Sequence, residues 1–212
     1  MSTSKLNQHP SVRVAPTAVI GAPYRSLQQG SWDRLNRPTT IGARCDIGPF
    51  CVVGEEAVIG EGTILDSYIL VEWGATVGKN VIATHRASIC AKACIGDDCV
   101  IGGLICERSV VGNGCRIFGD LIHRQLDPAM PWDGSESMED SPVLEDSVFI
   151  GWGATVVGDI KIGKGAYICA GAIVTRDVDP GQIVKDTNKI ISPDEWSGRL
   201  GRSIFKPGVD PI

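Results

Sequence analysis

The chain has 212 residues, 43% of them hydrophobic, which suffices for one substantial core and suggests one domain or at most two. Its formal net charge of -5 and isoelectric point near 5.2 argue against a nucleic-acid partner, and no Lys/Arg-rich run offers a membrane anchor. The polar N-terminus lacks an apolar signal segment, and no run of about 18 apolar residues occurs. We therefore expect a cytoplasmic protein that binds small molecules and neither nucleic acid nor membrane.

A six-residue repeat dominates the chain after a weaker start at Val14 and Ile20 and a loop over about 22–40. An aliphatic residue, often followed by Gly, recurs every six residues with a small or aliphatic residue four places later. The starting positions are Ile41, Ile47, Val53, Ile59, Leu65, Val71, Val77, Ala83, Ile89, Ile95 and Ile101. After a shortened unit, ERSV, the repeat resumes at Val111 and Ile117, breaks at His123, and returns from Leu144 to Val174.

A period of six fits neither an amphipathic helix, with its period of 3.6, nor a simple strand, with its period of two. It predicts a solenoid of short strands in which the first and fifth residues of each hexad point inward and Gly supplies the turn. The eight cysteines fit this pattern, because Cys45, Cys51 and Cys99 occupy inward positions. We expect reduced, buried thiols rather than disulfides, and the absence of CxxC-like spacing argues against a metal site.

The C-terminal segment, 192–212, has a different character. Ser192 and Pro193 form a plausible helix cap and first helical position, and acidic residues follow in the first turn. The sequence therefore predicts an all-β solenoid over 1–191, with loops at about 22–40 and 124–143, followed by a short helix and a tail.

The repeat resembles that of the left-handed parallel β-helix acyltransferases, from about residue 41 to residue 178. The resemblance implies a left-handed parallel β-helix with three hexads per coil and a homotrimer that binds acyl-CoA or acyl carrier protein between subunits. It also implies that a histidine acts as general base on a small acceptor, usually a sugar, amino sugar or antibiotic, and that no metal is needed.

His123 is the first candidate for this base. The layout of "HRQLD", a loop and then "SPVLEDSVFIGWGATV" is similar to the galactoside, maltose and xenobiotic acetyltransferase branch, in which the catalytic His stands where the chain leaves the coils. Arg124 replaces the Pro of the maltose enzymes. Asp127 is the residue we expect to orient the imidazole.

His85 is the second candidate, because "ATHRAS" loosely resembles the corner histidine of the lipid A pathway acyltransferases. Which of the two histidines is the base stays open. The loop after His123 contains Trp132 and Asp133, which we expect to bind the acceptor, since an indole suits stacking on a sugar ring and a carboxylate suits hydroxyl or ammonium groups.

The expected donor is acyl-CoA, with acetyl-CoA foremost. "ICAGAIVTRD" is similar to the family's "IGAGSIVTKD", which lines the CoA arm, and this carries Ala170, Thr175 and Arg176 over as donor-site residues. Trp152 stands where the family has a small residue on the same path. It either narrows the groove or marks a different donor.

The sequence thus favours an acyltransferase that moves an acetyl or similar group to an amine or hydroxyl. A non-enzymatic scaffold or sensor subunit remains an alternative. A γ-type carbonic anhydrase is a further, less favoured one, because it needs three histidines on zinc and only His85 and His123 lie within the predicted coils. The acceptor, O- or N-acylation, the acyl length and CoA or carrier-protein donation stay open.

Overall fold

The computed structural model describes residues 6–26, 31–33, 37–84, 86–125 and 141–186. Strands of two to four residues stack into three parallel sheets, and each coil of the chain contributes one strand to each sheet in turn. A fourth, two-stranded sheet is an antiparallel hairpin of β4 (Tyr24–Ser26) and β5 (Ser31–Asp33).

The three parallel sheets are named here in the order in which the chain visits them. The first contains β1 (Leu6–Gln8), β6 (Thr39–Ile41), β9 (Val58–Ile59), β12 (Thr76–Val77), β15 (Cys94–Ile95), β18 (Val110–Val111), β21 (Val143–Leu144) and β24 (Lys161–Ile162). The second contains β2 (Arg13–Val14), β7 (Asp46–Ile47), β10 (Ile64–Leu65), β13 (Ile82–Ala83), β16 (Val100–Ile101), β19 (Arg116–Ile117), β22 (Phe149–Ile150), β25 (Tyr167–Ile168) and β27 (Ile183–Val184). The third contains β3 (Val19–Ala22), β8 (Val52–Gly54), β11 (Leu70–Val71), β14 (Ser88–Ile89), β17 (Leu104–Ile105), β20 (Asp120–Ile122), β23 (Thr155–Val157) and β26 (Ile173–Val174).

The core is a column of aliphatic side chains inside these sheets. All repeat positions predicted between Ile41 and Ile101 are at most 3% exposed. The parallel register stacks equivalent residues of successive coils, as where Ile47 pairs with Leu65. The predicted fold class is confirmed as an all-β parallel β-helix built of hexapeptide repeats.

Glycines serve the coils in two different ways. Gly62 has a φ of +71°, a left-handed conformation that costs glycine little. Gly60 is needed for a different reason, since a Cβ there would lie 2.4 Å from the carbonyl carbon and oxygen of Gly78 in the next coil. Close coil stacking, as well as turning, therefore requires Gly in this repeat.

The position predicted for the shortened unit is wrong. Ile105 pairs with Ile89 in the third sheet, only four residues after Ile101, so the two missing residues belong to the corner at Gly102 and Gly103 and not to ERSV. A second short step follows, because Leu121 pairs with Ile105 and lies four residues after Ile117.

The corners are named after the sheets they connect. The first corner joins the first and second sheets, the second corner joins the second and third sheets, and the third corner leads from the third sheet to the first sheet of the next coil. Both long excursions leave from the third corner, one after β3 and one after β20. The first excursion contains the β4–β5 hairpin.

Residues 126–140 of the second excursion and the predicted C-terminal helix lie outside the described residues, so these domain boundaries stay predictions. The described ranges contain no helix, and hence none long and apolar enough to cross a membrane.

Candidate active site

His123 lies at the third corner, directly after β20, where the chain leaves the coils. Its backbone is held by the coil above, since the N–H of Gly158 donates to the carbonyl of Ile122 at 2.8 Å. The imidazole is partly buried, and its Nδ1 is buried without a hydrogen-bond partner among the described residues. Buried polar atoms normally have a partner, so this nitrogen is unusual.

Arg124 crosses the coil above as the excursion departs. A Cβ on Gly158 would lie 2.9 Å from the Nε of Arg124, so a side chain at that position would collide with the arginine. Gly158 also has a φ of +84°, which favours glycine. Gly158 therefore leaves room for Arg124 where the chain leaves the coils. The side chain of Arg124, the residue after His123, is exposed.

The coil below His123 anchors the returning end of the same excursion. The Oγ of Ser141, a residue only 8% exposed, donates to the carbonyl of Glu107 at 2.5 Å. The Sγ of Cys106 and the Oγ of Ser109 share a hydrogen bond of 3.1 Å beside it. Because Leu121 pairs with Ile105, Glu107 occupies the corner position directly below His123. Both ends of the excursion are therefore fixed to neighbouring coils.

Thiols and carboxylates line the third corner below this point. The pKa of the Cys90 thiol is raised to about 12, mainly by burial and in addition by the negative charge of Glu72, the neighbouring thiol of Cys106 and the charge of Glu107. Burial likewise raises the pKa of Cys106. All eight cysteines are free, and Cys45, Cys51 and Cys99 are buried as predicted. Among the described residues, no three His, Cys, Asp or Glu side chains are arranged to hold a metal ion.

Thr175 and Arg176 share the third corner with His123. They follow β26, two coils above β20, and both are exposed. At about 4.8 Å per strand, the two positions are roughly 10 Å apart along the axis. The structure thus brings these two predicted donor-site residues to the same edge as the candidate base.

Trp152 and Ala170 lie at the second corner instead, on the far edge of the third sheet. The indole of Trp152 is 64% exposed and stacks on Phe118 of the coil below, with ring centroids 5.1 Å apart and planes at 24°. Ala170 is in the coil above, where the N–H of Gly171 donates to the carbonyl of Trp152 at 2.9 Å. The indole of Trp152 is therefore directed towards the coil below and away from Ala170.

The remaining predicted site residues, His85, Asp127, Trp132 and Asp133, lie outside the described residues. Their roles stay predictions. Glu107, Ser141 and Gly158, which surround the two ends of the excursion, were not predicted from the sequence. They could have been found by aligning the coils before and after the insertion. That alignment requires the short step before Leu121 to be known.

Comparisons with known proteins find serine acetyltransferases among the proteins that this chain resembles in sequence. No family model matches the chain. It is 28% identical over 152 residues to the bifunctional protein GlmU of Exiguobacterium sp., an alignment covering 66% of this chain and 33% of GlmU. It is 30% identical over 141 residues to the serine acetyltransferase of Synechococcus elongatus, covering 66% of this chain and 44% of that protein. The chain thus spans less than half the length of these relatives.

Among solved structures, a UDP-N-acetylglucosamine acyltransferase of Francisella novicida matches with a TM-score of 0.44 and 18% identity, covering 88% of this chain and 67% of that one. The narrower resemblance to the galactoside, maltose and xenobiotic branch is not confirmed by these comparisons. By sequence, the chain is therefore similar to parts of GlmU and of serine acetyltransferase.

Proposed function

We propose that this protein is a homotrimeric acyltransferase that moves an acetyl or similar acyl group from acyl-CoA to an amine or hydroxyl of a small sugar-like or natural-product acceptor. His123 is the general base. The observation that carries the proposal is the buried Nδ1 of His123, which has no hydrogen-bond partner among the described residues, at the point where the chain leaves the coils. The sequence similarity to GlmU and serine acetyltransferase supports it.

The chemistry requires a group that accepts a proton near neutral pH, and an imidazole meets that requirement. One ring nitrogen of His123 takes the proton of the acceptor while the acceptor's oxygen or nitrogen attacks the thioester carbonyl. The tetrahedral intermediate then expels the CoA sulfur, which leaves as a thiol when it receives that proton. The other ring nitrogen needs a partner that fixes the tautomer, and Asp127 is our candidate for that role.

The donor side draws on two corners. Thr175 and Arg176 lie on the edge of His123, and the exposed guanidinium of Arg176 suits a phosphate of CoA. Trp152 and Ala170 are across the third sheet, whose edge-to-edge width of one hexad is about 20 Å. A trimer resolves this separation, because the second corner of one subunit can face the third corner of its neighbour. The donor groove then lies between subunits.

Calorimetry with acetyl-CoA tests the proposal. The wild type, His123→Ala and His9→Ala are compared. His9 is the control because it is exposed in the first described coil and its imidazole hydrogen-bonds to the neighbouring Ser11. We expect all three to bind acetyl-CoA alike. In an acceptor screen that follows release of the CoA thiol, His123→Ala should lose about 10²- to 10⁴-fold in kcat and His9→Ala should lose nothing.

Two results would count against this function. If no acyl-CoA binds, the CoA reading fails and the protein uses another donor or none. If acetyl-CoA binds and is consumed equally well by His123→Ala, a different residue is the base, and His85 becomes the first to substitute. A scaffold or sensor protein would show neither turnover nor sensitivity at His123.

A further inference from the structure

Exposed aromatic rings are concentrated on one side of the β-helix. Among the side chains that the structure describes, the four exposed aromatic rings lie on the second sheet or at the second corner. They are Phe50, Tyr68, Trp152 and Tyr167, with exposed fractions of 51%, 50%, 64% and 43%. Aromatic residues are enriched in protein interfaces and are uncommon as isolated surface groups of this size.

These rings are ordered by stacking across neighbouring coils. Centroid distances are 4.8 to 5.1 Å in three stacked pairs, Phe50 with Tyr68, Phe118 with Trp152, and Phe149 with Tyr167. Stacking leaves each outer ring with few alternative rotamers. A surface built this way loses little side-chain entropy when another surface covers it.

The outward row of the second sheet continues the apolar surface. From β10 to β27 its residues are Ile64, Ile82, Val100, Arg116, Phe149, Tyr167 and Ile183, with a single charge. From β9 to β24 the corresponding row of the first sheet includes a threonine and a lysine, and from β11 to β26 that of the third sheet includes a serine, an aspartate and a threonine. The second sheet is therefore the most apolar of the three faces.

We infer that this aromatic face, the outward row of the second sheet from β10 to β27 together with the aromatic residues of the second corner, is the surface through which copies of this chain associate. Six strand spacings of about 4.8 Å and a width of about 20 Å give about 580 Å² per copy. Counted on both partners, this exceeds the roughly 1,000 Å² that a specific interface needs. In a closed ring the contacts are heterologous, so the aromatic face of one copy meets a different surface of the next.

This inference extends the proposed trimer by assigning its contact surface, and it also has consequences for the proposed site. Trp152 and Ala170 border the aromatic face, so they would lie at the subunit boundary. Because the contact is heterologous, the neighbour can present its third corner, with His123, to that boundary.

The test measures the mass of the protein in solution by light scattering, without acyl-CoA. Three substitutions place a carboxylate at outward strand positions of equal exposure, 43% in each case: Ile82→Glu and Tyr167→Glu on the aromatic face, and Val110→Glu on the first sheet as the matched control. We expect the wild type and Val110→Glu to run as a trimer of the 22.5 kDa chain. The two aromatic-face variants should keep their circular dichroism spectrum and weaken association at least about 100-fold.

A monomeric wild type overturns the inference. If Ile82→Glu and Tyr167→Glu then unfold more easily than Val110→Glu, the chain's own segments cover the face instead. Dissociation by Val110→Glu alone would move the interface to the first sheet and also overturn the inference. A monomer that binds and consumes acetyl-CoA would refute this assembly and leave the proposed transfer reaction standing.

Discussion

Val111→Ala should destabilise the protein far more than the same substitution at its chain neighbour, Val110. Val111 points into the core at 3% exposure, between Ile95 below and Leu144 above, whereas Val110 points outward at 43% exposure. Removing two buried carbons costs about 1.6 kcal/mol in transfer free energy. A residual cavity of about 40 Å³ adds about 1 kcal/mol at roughly 24 cal/mol per Å³. We therefore expect a loss of about 2.5 kcal/mol in the free energy of unfolding.

The cavity contribution should persist because the site cannot collapse. The residues above and below Val111 are held in ladder register by parallel strands, so neither can move inward alone. Urea titrations followed by circular dichroism, at one fixed protein concentration, give the two free energies. Val110→Ala should stay within about 0.5 kcal/mol of the wild type. A loss below about 1 kcal/mol for Val111→Ala, or equal losses for the two variants, would refute the inward and outward assignment of the repeat.

Three further predictions follow from the third corner and the coil stacking. Ser141→Ala removes one of the hydrogen bonds that anchor the returning excursion and keeps the backbone bond from Val110 to Pro142. The KM for the acceptor should therefore rise several-fold while acetyl-CoA binding is unchanged; an equal loss in both would argue against an acceptor role for the excursion. Cys90, whose pKa is raised to about 12, should resist iodoacetamide at pH 8 while the exposed Cys94 reacts, as mass spectrometry of the alkylated peptides would reveal. Gly103→Ala puts a Cβ 1.9 Å from a carbonyl oxygen of the next coil and should lower the free energy of unfolding by about 3 kcal/mol. Gly153→Ala should lower it by about 1 kcal/mol, because its Cβ meets no atom within 4 Å and carries only the strain of a φ of +66°. Thermal melts of the two variants compare these costs.

The sequence was sufficient to predict the core because a period of six matches the geometry of the coil so closely. Every residue from Ile41 to Ile101 at the repeat position is buried, and so are their partners four places later. Burial selects aliphatic residues at these places, and the selection is visible without any structure. The outward residues obey no such rule, so the aromatic face was not predicted.

The short corners could not be located from the sequence, for a specific reason. Ile105 satisfies the pattern both as the inward residue four places after Ile101 and as the first residue of a new hexad. Only the pairing of Ile105 with Ile89 decides between the two. The same ambiguity at Leu121 hid the alignment of Glu107 with His123. Register across coils is a long-range property, and a local repeat does not encode it where a unit is shortened.

The position of His123 explains why the repeat is interrupted where it is. Inside an uninterrupted coil, backbone groups are paired with the coils above and below, and inward side chains are apolar, so such a coil offers little chemistry. At the third corner after β20, the chain leaves this pattern, and within the part of the chain that the structure describes the Nδ1 of His123 is buried without a partner, next to Arg124. Gly158 above and Ser141 below keep both ends of the excursion against rigid coils. A solenoid can thus hold a reactive group in a fixed place where the repeat stops, because the neighbouring coils hold the described residues on either side of the break.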